Sequence, residues 1–430
     1  MARIMKESGI KWLGKIPNDW EVRKVKNYYS IQTGFTPDTK KEEYYDDING
    51  EDWVNISDIQ DGYIITDTKH KISKLYVEQF RPTLIPKGSL MYSFKLSVGQ
   101  VAFAGKDIYS NEAIASFLPN EKVNLSFLRY SSCLIIENAE TNIYNAKILN
   151  QDRIKNAHII FPPLKEQERI ANFLDEKCDL INSVIEKTKT SIEEYKILKQ
   201  AIITQAVTKG IRGERPMKDS GIEWIGQIPK EWKVSRVGLH YNVILGKMLC
   251  TTQIDESYSL EKYYCAANVH FDGISDGELK EMWFSPDEIR QYRVREGDLL
   301  VVEGGAGAGG CAVANACDEP VYIQNSIMIV RPKKDANAKY LKYLIEFLVK
   351  NSYIDVVCNK ATIPHFTKDK LSCVPLPISS EQKEISEYLD RKCDELDVLI
   401  NKKYSFVQKM LDYKKSLIYE YVTGKRQVNA

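Results

Sequence analysis

Two long stretches of the chain carry apolar residues in a heptad pattern and contain no internal proline or glycine. The first runs from Pro163 to Gly210 and the second from Glu381 to Gly424. Apolar positions that alternate at spacings of four and three residues form a narrow stripe on a helix, and such a stripe packs against another helix. Each stretch is therefore predicted to be one long helix, and the two are predicted to pair as an antiparallel coiled coil. The predicted helix-helix seam consists of Leu174, Cys178, Ile181, Ile185, Ile192, Tyr195, Ile202, Leu389, Cys393, Leu396, Ile400, Val407, Met410 and Leu417.

The seam has the same polar interruption in both stretches. Lys199 and Lys414 hold equivalent positions when the second stretch is aligned with the first. A charged side chain in an apolar seam weakens packing, so we expect the contact between the helices to loosen towards this end.

A second repeat lies upstream of each middle region. The segment MKESGIKWLGKIPNDWEV from Met5 returns as MKDSGIEWIGQIPKEWKV from Met217, with eleven of eighteen positions identical. Together with the repeated helices, this lead-in shows that the chain is a tandem duplication with pseudo-twofold character. The lead-ins contain the partner-interface candidates Trp12, Trp20, Trp224 and Trp232. Tryptophans of this kind either anchor a partner protein or pin the lead-in onto a helix end, and the sequence leaves both roles open.

Each middle region reads as a small α+β domain. Glycine turns feed short apolar runs, as at Gly88 and Gly297, which predicts twisted, mostly antiparallel sheets with short helices. The fold class predicted for the whole chain is thus α+β, with two similar domains separated by two long antiparallel coiled-coil helices. The predicted segments are a lead-in (1–20), a first domain (21–161), a long helix (162–212), a second lead-in with its domain (213–375) and a final long helix (376–430).

Composition and charge narrow the function. The chain is 43% hydrophobic and 28% charged, with no apolar run near the ~20 residues that span a bilayer, so a cytoplasmic location is expected. Its net charge is +1, and any site for a polyanion must therefore be local. One basic stretch, from Ile65 to Lys106, is a candidate for such a site, although a solvated basic face would look the same. Its basic residues are Lys69, Lys71, Lys74, Arg81, Lys87, Lys95 and Lys106.

No catalytic group is recognisable in the sequence. Gly305, Gly307 and Gly310 match a dinucleotide-binding pattern, but a strand-like segment follows them instead of the required helix. Pro162 and Pro163 lack the preceding Asn or Asp of an adenine methyltransferase and more simply end a strand and start a helix. The five histidines and nine cysteines have no ligand or triad spacing, so neither a metal site nor a catalytic residue is predicted.

The layout resembles the specificity subunit of type I restriction-modification enzymes over essentially the whole chain. The residues that carry the resemblance are the two lead-ins SGIKWLGKIPNDW and SGIEWIGQIPKEW, the helix starts PPLKEQERIANFLDEK and LPISSEQKEISEYLDRK, and TGFTP with WVNISDI in the first middle region. The second middle region lacks a TGFTP sequence and has LGKML from Leu245 instead, so the two domains are expected to belong to different subtypes.

The resemblance implies a DNA-binding role in a restriction system that defends against phage. Each target recognition domain would read one half of a bipartite asymmetric site in double-stranded DNA, and the helices would act as a ruler between them. The helices would also bind two modification subunits, which methylate adenine with S-adenosylmethionine, and ATP-dependent, Mg²⁺-using restriction subunits would join. This chain would be non-catalytic and would bind no cofactor itself.

DNA contacts are predicted at polar and basic side chains, because amides and guanidinium groups read base edges and lysines hold phosphates. The candidates are Lys69, Lys71, Lys74, Ser93, Lys95, Asn111, Asn145, Lys147, Gln151, Arg290, Arg293, Gln324, Asn325, Asn359, Lys360, Thr362 and His365. Two other functions stay open at this stage. One is a self-sufficient methyltransferase or nuclease with an unread motif, and the other is a coiled-coil scaffold that binds proteins.

Overall fold

The structure is a computed structural model that describes residues 3–60, 62–95, 97–141, 147–275, 277–358 and 365–428. Contacts divide the chain into two compact units. Unit 1 comprises Met1–Thr188 and Ser405–Ala430, and unit 2 comprises Lys189–Tyr404. Each unit therefore combines one of the two middle regions with parts of both long helical stretches.

The first half of the chain alternates short strands with short helices before the first long helix. Its strands are β1 (Met5–Glu7), β2 (Lys15–Pro17), β3 (Glu21–Lys24), β4 (Ile31–Thr33), β5 (Glu51–Val54), β6 (Tyr63–Ile65), β7 (Lys71–Ile72), β8 (Leu90–Ser93), β9 (Val101–Ala104), β10 (Tyr109–Ser110), β11 (Ile114–Phe117), β12 (Glu140–Thr141), β13 (Lys147–Ile148) and β14 (His158–Phe161). Its helices are α1 (Lys74–Phe80), α2 (Leu125–Ser131), α3 (Gln151–Asn156) and α4 (Leu164–Lys209).

The second half repeats this plan. Its strands are β15 (Met217–Asp219), β16 (Gln227–Pro229), β17 (Lys233–Arg236), β18 (Tyr241–Leu245), β19 (Ser259–Tyr264), β20 (Val269–His270), β21 (Gly273–Ile274), β22 (Lys280–Phe284), β23 (Leu299–Val302), β24 (Cys311–Val313), β25 (Tyr322–Ile323), β26 (Ile327–Pro332) and β27 (Pro375–Ile378). Its helices are α5 (Val237–His240), α6 (Pro286–Tyr292), α7 (Ala338–Lys350), α8 (Tyr353–Val357), α9 (Lys368–Cys373) and α10 (Gln382–Val422).

The two units have similar sheet topologies, and the main sheet of unit 1 has one strand more than that of unit 2. Unit 1 has a main sheet in the order β4-β11-β8-β9-β6 and a small sheet in the order β10-β5-β7. Unit 2 has a main sheet in the order β18-β26-β23-β24 and a small sheet in the order β22-β19-β25. In both small sheets the central strand pairs in parallel with one neighbour and antiparallel with the other. The predicted α+β class and its duplication are confirmed.

Helix α4 lies within the predicted segment 162–212, and α10 lies within the predicted segment 376–430. In unit 1, Phe173 of α4 packs on Tyr421 of α10, and nine positions further along α4 the Asn182 Oδ1 accepts a hydrogen bond from Lys414 Nζ at 2.9 Å. In unit 2, Lys199 Nζ forms an ion pair with Asp397 at 2.7 Å. Within unit 1, positions rise along α4 as they fall along α10, so the two helix segments are antiparallel.

The seam follows the heptad for most of its length. Leu174, Cys178, Ile185 and Ile192 are all buried in α4, but at the far end the fully buried residue is Ile203, and Ile202 is half-buried. A straight helix turns by about 20° relative to a strict seven-residue repeat in every heptad, so the buried position moves by one residue over several heptads.

Each lead-in is held on the start of a long helix by the same set of side chains. In unit 1, the Arg3 guanidinium binds Glu166 of α4 at 2.6 Å, and Trp20 Nε1 donates a hydrogen bond to Glu166 at 2.8 Å. In unit 2, Arg215 binds Glu381 at 2.7 Å, just before α10, and lies over the ring of Trp232. A carboxylate is favoured at a helix N-terminus, where backbone N–H groups are unpaired.

Candidate DNA-recognition surface

In unit 1, the segment after β4 is pressed against the turn between β10 and β11. A Cβ atom added to Gly34 would lie 1.7 Å from the carbonyl oxygen of Ser110, so only glycine fits there. The amide of Phe35 donates to the same carbonyl oxygen at 2.9 Å, and the Asn111 side-chain amide donates to Thr36 Oγ1 at 3.0 Å. The TGFTP segment and the Ser110-Asn111 turn thus form one contact region, which we call loop pair 1. In it Thr36 is exposed, Asn111 is half-buried and Ser110 is buried.

Unit 2 builds the same arrangement from different residues. A Cβ atom on Gly246 would lie 2.4 Å from the carbonyl oxygen of Gln324. The amide of Lys247 donates to Ile323 at 3.1 Å, and the amide of Asn325 donates to Lys247 at 2.8 Å. We call this surface, from residues 245–249 and 323–326, loop pair 2. LGKML therefore occupies the place that TGFTP has in unit 1, although only the glycine is shared.

A short helix flanks each loop pair. In unit 1, Phe35 stacks on Tyr76 of α1, with ring centroids 5.4 Å apart. In unit 2, the Lys247 ammonium forms an ion pair with Glu288 of α6 at 2.6 Å and lies over the ring of Phe284. Burial alone would raise the pKa of the Glu288 carboxyl, but its hydrogen bond with Lys247 lowers the pKa below the ordinary value. Loop pair 1 is thus held by aromatic stacking and loop pair 2 by an ion pair.

Part of the basic stretch in unit 1 is neutralised within the unit. The side chain of Asp52 is 9% exposed and pairs with both Lys71, at 3.0 Å, and Lys106. Burial alone would raise the pKa of the Asp52 carboxyl, but these two lysines lower it well below the ordinary value. Lys71 also pairs with Asp67 at 2.9 Å. The charges of Lys71 and Lys106 are thus largely matched inside the unit.

The other predicted DNA contacts of unit 1 are spread over several elements. Ser93 is fully buried, and its hydroxyl donates to the Lys95 carbonyl oxygen at 3.1 Å. Lys69 and Lys74 are exposed beside the small sheet, and Lys95 lies 3.7 Å from Glu112. Lys147 lies in β13 and Gln151 is the first residue of α3, and both are away from loop pair 1 in sequence. Asn145 lies outside the described residues.

In unit 2, Gln324 and Asn325 both belong to loop pair 2. The Gln324 amide donates to Asn325 Oδ1 at 2.6 Å, and the hydroxyl of Ser326 also bonds to Gln324. Arg290 and Arg293 are exposed at the end of α6. His365 is exposed 4.0 Å from Glu303, next to the glycine-rich segment at 304–310. Asn359, Lys360 and Thr362 lie outside the described residues.

The four lead-in tryptophans fall into two pairs. Trp20 and Trp232 are at most 1% exposed, inside the core of their own units. Trp12 and Trp224 are half-buried, and Trp224 packs against Tyr353 with ring centroids 5.1 Å apart. Of the two roles that the sequence left open, the contacts of Trp20 correspond to pinning the lead-in onto a helix start.

Sequence reasoning did not select Thr36, Lys247 or Asp52 as site residues. The sequence did indicate the position of Lys247. Gly34 and Gly246 are separated by the same number of residues as the two lead-ins, so Lys247 follows a glycine that is equivalent to Gly34. The glycine-rich segment is followed by strand β24, as the sequence predicted.

In the described parts of the chain, no three His, Cys, Asp or Glu side chains are grouped as metal ligands would be. No described helix is both long and apolar enough to cross a membrane.

The chain consists of two related α+β units. Each unit has a loop pair and contains segments of the same two long helices. This arrangement defines a protein with two recognition modules. The chain belongs to the family described as type I restriction modification DNA specificity domain, whose model matches residues 17–194 and 229–415.

Similar proteins agree with this assignment. The MjaIX specificity subunit of Methanocaldococcus jannaschii is 27% identical over 242 residues, which are 53% of this chain and 52% of that protein. The chain therefore spans about half the length of this relative. The MjaVIII specificity subunit of the same organism is 23% identical over 438 residues, covering 96% of this chain and 94% of that subunit.

Solved structures share the fold. A chain from a study of complex assembly and conformational transition in the type I R-M system superposes with a TM-score of 0.73 at 18% identity, covering 96% of this chain and 99% of that one. The HsdS subunit of Thermoanaerobacter tengcongensis gives a TM-score of 0.54 at 18% identity, with 96% and 98% covered.

Proposed function

We propose that the chain is the DNA-recognition subunit of a type I restriction-modification complex, in which each unit reads one half of a bipartite asymmetric site. The observation that carries the proposal is the repeated loop pair. Gly34 and Gly246 hold the same backbone contact in both units, while the side chains around them differ. A common frame with different side chains suits a protein that reads two different half-sites, because the side chains specify the bases.

The long helices are proposed to bind two modification subunits, which restriction subunits then join. Both units expose apolar side chains on these helices, which is a mark of protein-protein interfaces. In unit 1, Leu180, Phe406 and Tyr413 are 61%, 42% and 52% exposed. In unit 2, Ile197 and Leu198 are 69% and 46% exposed. Unit 2 also has an open groove of about 870 Å³ along α10, lined by Glu387, Asp390, Arg391, Asp394, Glu395, Val398 and Leu399.

In this proposal the partner subunits catalyse the methylation and cleavage reactions. The modification subunits would bind S-adenosylmethionine, and ATP and Mg²⁺ would serve the restriction subunits. The proposal gives this chain no cofactor and no catalytic residue. Its support is that one buried carboxylate of unit 1, Asp52, is matched by Lys71 and Lys106 in an ion-pair network inside the unit.

The test is to purify the chain with its modification subunits and to methylate a random-sequence DNA library. Mapping the methylated adenines should give a gapped, two-part consensus. Methylation without such a consensus would contradict the proposal. Incubating the chain alone with DNA, Mg²⁺ and S-adenosylmethionine should give no reaction, and a product there would instead support a self-sufficient enzyme.

The assembly step can be tested separately. Replacing Leu198 by Asp places a charge on an exposed apolar position and should weaken co-purification with the modification subunits. The exposed Lys122, which lies in the loop before α2, provides the matched control as Lys122→Ala. Equal co-purification of both variants would contradict the role of the helix face.

A further inference from the structure

The short helix beside each loop pair has the same start in both units and is followed by an arginine in both, although the backbone of Arg81 is left-handed and that of Arg293 is extended. Ser73 caps the N-terminus of α1, and Ser285 caps that of α6, each by accepting a backbone hydrogen bond. Both helices are seven residues long, and each is followed by an arginine at its C-cap, Arg81 in unit 1 and Arg293 in unit 2. The two arginines therefore occupy one position of the repeated fold, although the surrounding sequences differ.

Both guanidinium groups are available to a ligand. Arg81 and Arg293 are exposed, and within the described parts of the chain neither side chain has a hydrogen bond or an ion pair. Their neighbours behave differently, since Lys71 pairs with Asp52, and Arg290 pairs with Asp287. Lys71 and Arg290 are thus matched by carboxylates, whereas the C-cap arginines are not.

Arg81 adopts a backbone conformation that favours glycine. Its φ is 45° and its ψ is 53°, in the left-handed region. Helices commonly end with a residue in this conformation, and glycine is the usual choice because it has no Cβ atom. A glycine would therefore satisfy the helix end at lower cost. A cation at a helix C-terminus is also favoured by the helix dipole, so a structural role for the arginine has to be separated from a binding role.

The C-cap arginines lie close to the loop pairs. Helix α1 packs on Phe35 through Tyr76, and α6 contacts Lys247 through Glu288. In each helix the contact is made by the third residue, and the arginine follows five residues later, which is about 8 Å along the helix axis. The major groove of DNA is about 12 Å wide. An arginine at this distance can reach the sugar-phosphate backbone that borders a groove read by the loop pair.

In unit 2 the arginine also lines a cleft. The cleft has a volume of about 630 Å³, and the charged residues of its wall are Arg290, Arg293, Arg295, Glu296 and Glu319. A guanidinium group forms two parallel hydrogen bonds with a phosphate, so arginine suits a backbone contact of fixed geometry.

We infer that Arg81 and Arg293 are matched phosphate clamps, each of which binds the DNA backbone beside one half-site and sets the register of its loop pair. This inference rests on the proposed function. The clamps contribute affinity and register, and they carry no information about base sequence.

The test measures the salt dependence of duplex binding by the assembled complex. The variants are Arg81→Gly and Arg293→Gln, and the controls are Lys122→Ala and Lys334→Ala. These two lysines are exposed and hold equivalent places beyond the ends of β11 and β26, which are the ends opposite the loop pairs. Binding weakens as salt rises, so the slope of log K against log salt is negative. Each arginine variant should make this slope shallower by about 1, on specific and on random duplexes alike. The controls should leave the slope unchanged.

Arg81→Gly separates the two roles of the arginine. Glycine relieves the left-handed conformation, so the free chain should be at least as resistant to thermal unfolding as the wild type while its DNA affinity falls. Unchanged slopes in both arginine variants, with wild-type binding intact, would overturn the clamp and leave the proposed function standing. A change in the methylated consensus bases would also overturn it, because it would assign base reading to the arginines. Absence of duplex binding by the wild-type complex would instead overturn the proposed function.

Discussion

At the scale of single residues, Gly34 and Gly246 show which structural constraints can be predicted from the sequence and which cannot. Both glycines sit at the spacing of the duplication, yet TGFTP and LGKML look unrelated around them. The reason for the shared glycine is a contact with a backbone carbonyl group in a turn about 77 residues further along the chain, from Gly34 to Ser110 and from Gly246 to Gln324. A contact with backbone leaves no trace in the identity of the contacted residue, so comparison of sequences alone cannot identify it.

This contact predicts that neither glycine tolerates a side chain. In Gly34→Ala and Gly246→Ala the added Cβ atom would lie 1.7 Å and 2.4 Å from a carbonyl oxygen, so the loop pair must open. We expect a loss of about 1–3 kcal/mol in the free energy of unfolding, as for other overpacked sites. Chemical denaturation measures the loss, and faster hydrogen exchange at the amide of Phe35 locates it in unit 1.

Gly213 provides the control for both substitutions. A Cβ atom there would meet nothing within 4 Å, so Gly213→Ala should be neutral. If Gly34→Ala were as stable as Gly213→Ala, the close contact between the two loops would not be a real constraint.

At the scale of elements, the long helices were predictable because their signals are local. An absence of glycine and proline over some 45 positions, with a heptad of apolar residues, is enough to define a helix and its buried stripe. The burial of Ile203 in place of Ile202 could not be predicted from a strict heptad. The buried stripe shifts around the helix by an amount that depends on how straight the helix is. The partners of the seam lysines could not be read either, because they depend on the register of the helix pair.

Those partners make an internal comparison possible. Lys199 pairs with Asp397 in unit 2, whereas the equivalent Lys414 in unit 1 bonds to Asn182, which is the position equivalent to Asp397. Asp397→Asn should convert the first arrangement into the second and lower the free energy of unfolding by about 0.2–1 kcal/mol. Asn182→Asp should have the opposite effect. Denaturant midpoints of the two variants and of the double variant measure both changes, and shifts of the same sign would contradict the comparison.

The ion pair also predicts a pH dependence. Burial alone would lower the pKa of Lys199, but Asp397 raises it above the ordinary value of 10.5. A raised pKa of a lysine means that the folded state holds the proton more tightly than the unfolded chain. The stabilisation by Asp397 is therefore complete below pH 10.5 and is lost as the pH rises through the pKa of Lys199 in the folded state. The difference between wild type and Asp397→Asn should disappear in that alkaline range, and a constant difference would contradict the assignment.

At the scale of the whole molecule, the duplication was the most predictable feature, and the site was the least. Repeats can be recognised directly in an amino-acid sequence, so the two-unit α+β organisation could be predicted from the repeated segments. Exposure is not visible, and polar residues such as Ser93 and Lys71 were selected by type although one is buried and the other is paired inside the unit. The residues that frame the loop pairs, Thr36 and Lys247, became recognisable only when the two units could be compared in space.

The independence of the two units gives a final prediction. Thr36→Ala removes the partner of the Asn111 amide, and Lys247→Met removes the ammonium that ties loop pair 2 to Glu288. Each substitution should relax the bases methylated in one half-site, with a loss of about 1–3 kcal/mol in discrimination at the affected position. The other half-site and the gap should stay the same. Methylation of a random library by each variant complex checks this result, with Lys122→Ala and Lys334→Ala as controls. A single substitution that altered both halves of the consensus would show that the units do not read DNA separately.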